Sequence, residues 1–144
     1  MAQQTESERT NRPDHDDGVQ DLLDAFARGL VTGDGPAIAE LWNLPSYVLG
    51  DGMARTIEMR EEVEEFFTSA KDQYAEMGVT GTRAEITRLE WLTDGIAQVD
   101  VRWPYLDAAG GEHGEERSTY TLRRDDAGNL KICIAIMRGA SEAD

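Results

Sequence analysis

From residue 19 the apolar positions keep a helical period. Val19, Leu22, Leu23, Phe26 and Leu30 make one stripe, with Asp16 or Asp17 placed to cap it. A helix is predicted to about Val31, ending at Thr32-Gly33. Asp34-Gly35-Pro36 then opens a short second helix carrying Ile38, Leu41 and Trp42, since proline suits a first turn whose N–H has no partner. Asn43-Leu44-Pro45 breaks that helix. Ser46 to Leu49 and Met53 to Ile57 read as two short strands joined by Gly50-Asp51-Gly52. A third helix follows, with Met59, Val63, Phe66, Phe67, Ala70, Tyr74 and Met77 on one face, acids on the other, and Gly78 as its stop.

After Gly78 the period changes to two. One strand is predicted over Val79 to Leu92 and the next over Ile96 to Asp107, where Ala97, Val99, Val101, Trp103 and Tyr105 share a face. Ala109-Gly110 closes a hairpin into Glu112–Arg124, pairing Val99 with Tyr120, Val101 with Ser118 and Trp103 with Glu116. The same register sets Arg102 against Arg117, an unfavourable pair without acidic neighbours or a partner chain. After a turn at Asp125-Asp126-Ala127-Gly128, Leu130–Met137 is apolar on both faces, so cover is expected on both.

The composition of the 144 residues narrows the function classes. Acidic residues number 29 against 14 basic, a net charge of -15, which repels phosphate backbones and anionic headgroups. No nucleic-acid partner is expected. No apolar run approaches the roughly 18 residues of a membrane span, and the start of the chain lacks a signal-like apolar core, so no membrane contact and a cytoplasmic location are expected. Residues 1–15 lack periodicity and read as a disordered acidic tail. The single cysteine, Cys133, lies in an apolar run and reads as structural; multi-cysteine metal sites are excluded. No metal or cofactor motif appears, and His15 and His113 read as solvated.

Three helices enclosing two short strands, then four longer strands, is a distinctive order. Its particulars are Phe26-x6-Gly33-Asp34 with Leu41-Trp42, the entry Pro45-Ser46-Tyr47-Val48, Arg60 to Phe67, and the hairpin from Tyr120-Thr121-Leu122-Arg123 through Gly128-Asn129-Leu130-Lys131-Ile132. In these the chain resembles the nuclear transport factor 2-like superfamily, in its SnoaL-like and ketosteroid isomerase-like group. The resemblance covers about Asp17 to Arg138. It implies an α+β cone: three N-terminal helices packed in a strongly curved, mixed, mainly antiparallel six-stranded sheet, with a pocket inside. It also implies a homodimer through the outer sheet face, here around Arg102, Thr119 and Ile134. The domain is expected over 16–138, with a flexible tail over 139–144.

Such a fold hosts enzymes, binders and assembly modules alike, so the site rests on its residues. The ketosteroid isomerase pattern puts a tyrosine donor where this chain has Phe26, its aspartate base at Gly50 beside Asp51, and its protonated aspartate near Ser118 or Thr119. Without those donors an enolate loses several kcal/mol of stabilisation, and steroid isomerisation is disfavoured. Asp51 and Glu116 remain as candidate proton carriers. Asp51 also reads as simple turn chemistry, and Glu116 as a solvated strand residue. Phe26, Trp42, Tyr47, Phe67, Trp103, Tyr105 and Tyr120 are the candidate ligand-binding residues. The expected function is a pocket that binds or transforms a small, apolar, ring-bearing molecule without a cofactor; the alternative is a dimerisation module with a filled interior.

Overall fold

The computed structural model describes residues 16–141, so the expected N-terminal tail with His15 lies outside the described residues. The elements in chain order are α1 (Val19–Thr32), α2 (Gly35–Ala39), β1 (Trp42–Gly50), β2 (Met53–Ile57), α3 (Arg60–Thr68), α4 (Ala70–Glu76), β3 (Glu85–Trp91), β4 (Ile96–Leu106), β5 (Glu112–Arg124) and β6 (Leu130–Ser141). The strands form one six-stranded sheet in the order β2-β1-β6-β5-β4-β3. Only β1 and β6 run parallel; every other pair is antiparallel. The architecture is the expected α+β one, with helices against one face of a mixed, mainly antiparallel sheet.

Local chemistry starts and stops the helices as the sequence predicts. The Asp16 carboxylate accepts the Gln20 N–H at 2.9 Å, and Asp34 accepts the Ala37 N–H at 3.1 Å. Gly33 ends α1 with φ at +74°, a conformation that favours glycine, and its N–H bonds to Gly29. At the start of α3 the Glu62 carboxylate takes the N–H groups of Glu58 and Met59 at 2.8 and 2.9 Å. Part of the acidic run therefore closes a helix end.

Four boundaries differ from the sequence reading. The short second helix stops at Ala39, because Leu41 already accepts the Ile132 N–H of β6 at 2.8 Å and Trp42 begins β1. The long third helix is two helices, broken at Ser69; Thr68 bonds back to the Glu64 carbonyl there, a contact that loosens a helix. Residues 79–84 are not a strand but cross the end of β4, touching it through Thr80 N–H to Leu106 O at 2.7 Å and Leu106 N–H to Gly81 O at 2.9 Å. At the other end, β6 continues past Arg138 to Ser141, through residues expected in a tail.

The β4–β5 register is the predicted one, with Val99 opposite Tyr120, Val101 opposite Ser118 and Trp103 opposite Glu116. Ala97, Val99, Val101, Trp103 and Tyr105 are all buried on the inner face. They meet Val19, Leu23, Phe26, Ile38 and Val63 from the helices in one core. Arg102 does sit opposite Arg117, yet neither is unsupported. Arg102 is paired with Glu85, Glu112 and Glu115, and Arg117 with Glu115. That network removes the reason to require a partner chain at this position.

The outer face carries its exposed apolar groups elsewhere. Tyr47 is 46% and Leu49 39% exposed on β1, beside Ile134 and Ile136 of β6. The inner side of β6, by contrast, is sealed by burial of Ile132 and Ala135. Cys133 is half-buried and accepts a long contact from Asn43 at 3.9 Å; burial raises its thiol pKa.

Candidate functional site

A cavity of about 310 Å³ opens between the helices and the sheet. Phe26 and Leu30 of α1, Phe66 and Phe67 of α3, and Ala70 and Tyr74 of α4 form its helical wall. Trp103 of β4, Glu116, Ser118 and Tyr120 of β5, and Met137 of β6 form the wall of sheet. Ser69 and Gln73 add polar groups where the helix breaks.

The aromatic part is ordered by edge-to-face contacts, the arrangement that ring quadrupoles favour. The Phe26 ring lies 5.2 Å from Phe67, 5.6 Å from Trp103 and 6.0 Å from Tyr120, all T-shaped. The Trp103 indole N–H donates to the Tyr120 hydroxyl at 3.1 Å. This fixes both side chains and leaves the Tyr120 O–H free to donate in turn. Burial pushes the Tyr120 phenol well above its ordinary pKa, only partly offset by hydrogen bonds from Ser118 and Trp103. Tyr74 is raised by burial as well, and the nearby Glu116 charge adds to both shifts. Both phenols are neutral donors at neutral pH, not bases.

Glu116 is the cavity's carboxylate. It stands across from Trp103 and is half-buried. Among the described residues it has no ion-pair or hydrogen-bond partner, whereas Glu112 and Glu115 on the same strand are both held by Arg102. The strand's alternation explains this, because it turns Glu115 and Arg117 outward and Glu116 inward.

Of the predicted site residues, Phe26, Phe67, Trp103, Glu116 and Tyr120 converge on this cavity. The others fall outside its lining. Trp42 is buried behind it against Phe26 and Phe67, at 6.2 and 5.6 Å, with an indole N–H that finds no partner among the described residues. Tyr105 is buried 6.1 Å from Tyr74. Tyr47 points outward, since the β1 residues facing the core are Ser46 and Val48. Asp51 is exposed in the β1–β2 turn at the sheet's edge. Its glycine neighbours serve that turn, and no wall encloses it.

Tyr74, Ser69 and Gln73 were not among the predicted site residues. The spacing of Ser69 and Gln73, four apart on one face and in contact at 3.3 Å, was the available sign. A second depression of about 420 Å³ between α1 and residues 81–83 is more open; its Arg83 is already paired with Glu85 and Glu112. Among the described residues no cluster of His, Cys, Asp and Glu suits a metal ion, and no helix is long and apolar enough to cross a membrane.

Comparison with known proteins agrees with this architecture. A family model described as NTF2-like protein (DUF6841) matches residues 15–140. An NTF-2 like protein of unknown function from Shewanella oneidensis MR-1 is similar in structure at TM-score 0.63 and 19% identity, over 86% of this chain and 98% of that one. A ketosteroid isomerase-like protein from Erwinia carotovora atroseptica is similar at TM-score 0.63 and 15% identity, over 90% and 98%. An NTF2-like protein with a cystatin-like fold from Novosphingobium aromaticivorans is similar at TM-score 0.60 and 15% identity, over 95% and 86%. Such low identities show the fold alone. No curated protein matches the sequence.

Proposed function

Because the chain belongs to the NTF2-like family DUF6841, we propose that it is a pocket protein for a small, apolar, ring-bearing molecule. The observation that carries this reading is the aromatic cavity of about 310 Å³ with a single inward carboxylate. That volume is at the lower end of small-molecule sites and roughly twice the ~150 Å³ cavity that admits benzene. It suits one or two rings and is small for four.

The chemistry these side chains can supply is proton transfer. Glu116 is the base, and Tyr120, with its oxygen already accepting from Trp103, donates to the oxygen that gains charge. Asp51 has no place in this scheme, being outside the cavity. The test is calorimetric titration of the full chain with a neutral two-ring probe, 1-naphthylmethanol. Binding to the wild type and its loss in Ala70→Phe, which fills the cavity from α4, is the expected result. Undiminished binding in that variant would place the ligand elsewhere.

A second reading, assembly, rests on a different observation: the exposed Tyr47 and Leu49 beside Ile134 and Ile136 on the outer sheet face. Two copies meeting there would cover the apolar outer side of β6. The two readings are compatible, because the cavity and the patch lie on opposite faces. Light scattering at micromolar concentration is expected to report a dimer, and Ile134→Glu a monomer.

A further inference from the structure

The cavity's charge is as unequal as its shape is simple. Among the described residues no lysine, arginine or histidine lines it, and the one acid that does is Glu116. Half-buried, that carboxylate has no cationic partner among the described residues, whereas Glu112 and Glu115 are both held by Arg102. The nearest strand neighbour with a positive charge, Arg117, faces outward and is bound to Glu115. The other polar groups of the lining are hydroxyls and one amide, all able to accept a hydrogen bond. A net charge of -15 adds a long-range bias toward cations.

We propose that the cavity selects one- or two-ring amines, with the protonated nitrogen against the Glu116 carboxylate and the ring among Phe26, Phe67 and Trp103, and rejects carboxylates and sulfonates of the same shape. This rests on reading the cavity as a small-molecule site. It goes further by fixing the sign of the ligand's charge and the residue that reads it. An anionic ligand would meet Glu116 with no basic group to receive it. A neutral ligand could give the carboxylate a hydrogen bond but no opposite charge.

Three probes of nearly equal shape separate the possibilities: 1-naphthylmethylamine, 1-naphthylmethanol and 1-naphthoate, titrated calorimetrically into the full chain at neutral pH and physiological salt. The amine is expected to bind about tenfold more tightly than the alcohol, as an ammonium adds opposite-charge attraction to the hydrogen bond that either probe can give the carboxylate. The naphthoate should bind weakest. In Glu116→Gln the amine's advantage over the alcohol should be lost. The wild-type ranking stands by itself should that variant fold poorly.

Alcohol binding equal to or tighter than the amine's would overturn the charge selection and leave the pocket reading intact. An amine preference that survives Glu116→Gln would also overturn it, assigning the preference to the acidic surface. If no probe binds, the pocket reading fails and the selection fails with it.

Discussion

Trp103 shows how closely site and core are joined in this protein. It is 4% exposed, touches Phe26 and Tyr120 edge to face, and supplies the N–H that the Tyr120 oxygen accepts. Trp103→Phe removes that donor and part of a buried ring, so a loss of about 2 kcal/mol in urea denaturation is expected. Truncation to alanine belongs in the range of about 3–5 kcal/mol and is the wrong probe of ligand binding. Gly29 makes a contrasting case. A helix interior usually gains up to about 1 kcal/mol from Gly→Ala. Here an added Cβ would lie 2.5 Å from Ile38 Cγ1, a fully buried branch that has nowhere to move. The clash should win, and Gly29→Ala is expected to lower stability by about 1–2 kcal/mol in the same assay. Nothing in the helical period reveals this glycine's role, because its partner lies on another element. Phe26 and Trp103, by contrast, were legible, since each sits on a stripe whose direction the period fixes. Tyr47 was misjudged for the converse reason: a short strand around Pro45 gives too few alternations to say which face is inner.

At the scale of elements, legibility followed the number of periods available. β4 holds five inward residues in strict alternation, and its register with β5 was predictable pair by pair. The stretch 79–84 has strand-like composition but meets β4 only at its end, through an isolated bridge at Gly81 and Leu106, so composition alone misled. The break at Ser69 was hidden because Ala70 and Tyr74 prolong the apolar face of α3 across it. The Arg102 network is also an element-scale feature, tying β3, β4 and β5 together. Hydrogen bonds from Arg102 hold the carboxyls of Glu85, Glu112 and Glu115 below their ordinary pKa. A carboxyl depressed in the folded state stabilises above its unfolded value and loses that contribution as pH falls through the depressed one. The network therefore stabilises at neutral pH, and its contribution declines from about pH 4.3 downward. Arg102→Gln should lower the melting temperature at pH 7 and by much less at pH 3. Thermal melts across that range check it, and an equal loss at both ends would mean that Arg102 acts by packing.

For the whole molecule the governing quantity is charge, because 29 acids face only 14 bases. Most of the described arginines are already in ion pairs, Arg102 with three carboxylates, so salt acts on the excess as well as on the pairs. Over a Debye length of about 10 Å at 0.1 M salt, repulsion among the surplus carboxylates is screened, while short partly buried pairs are weakened less. Two copies of the chain meeting outer face to outer face bring two charges of -15 together around an apolar centre of Tyr47, Leu49, Ile134 and Ile136. The apolar contribution is nearly indifferent to moderate salt, and the repulsion is not. Dimerisation is therefore expected to tighten between 20 mM and about 500 mM sodium chloride, the opposite of an interface made by ion pairs. Sedimentation velocity over that range checks the sign. Ile134→Glu, which puts one more carboxylate at the centre of the patch, should stay monomeric at low salt and recover little at high salt. A dimer that dissociates as salt rises would move the interface to the charged end of the sheet, around Arg102, Arg138 and Asp100. A monomer at every salt would overturn the assembly reading and leave the outer face to solvent.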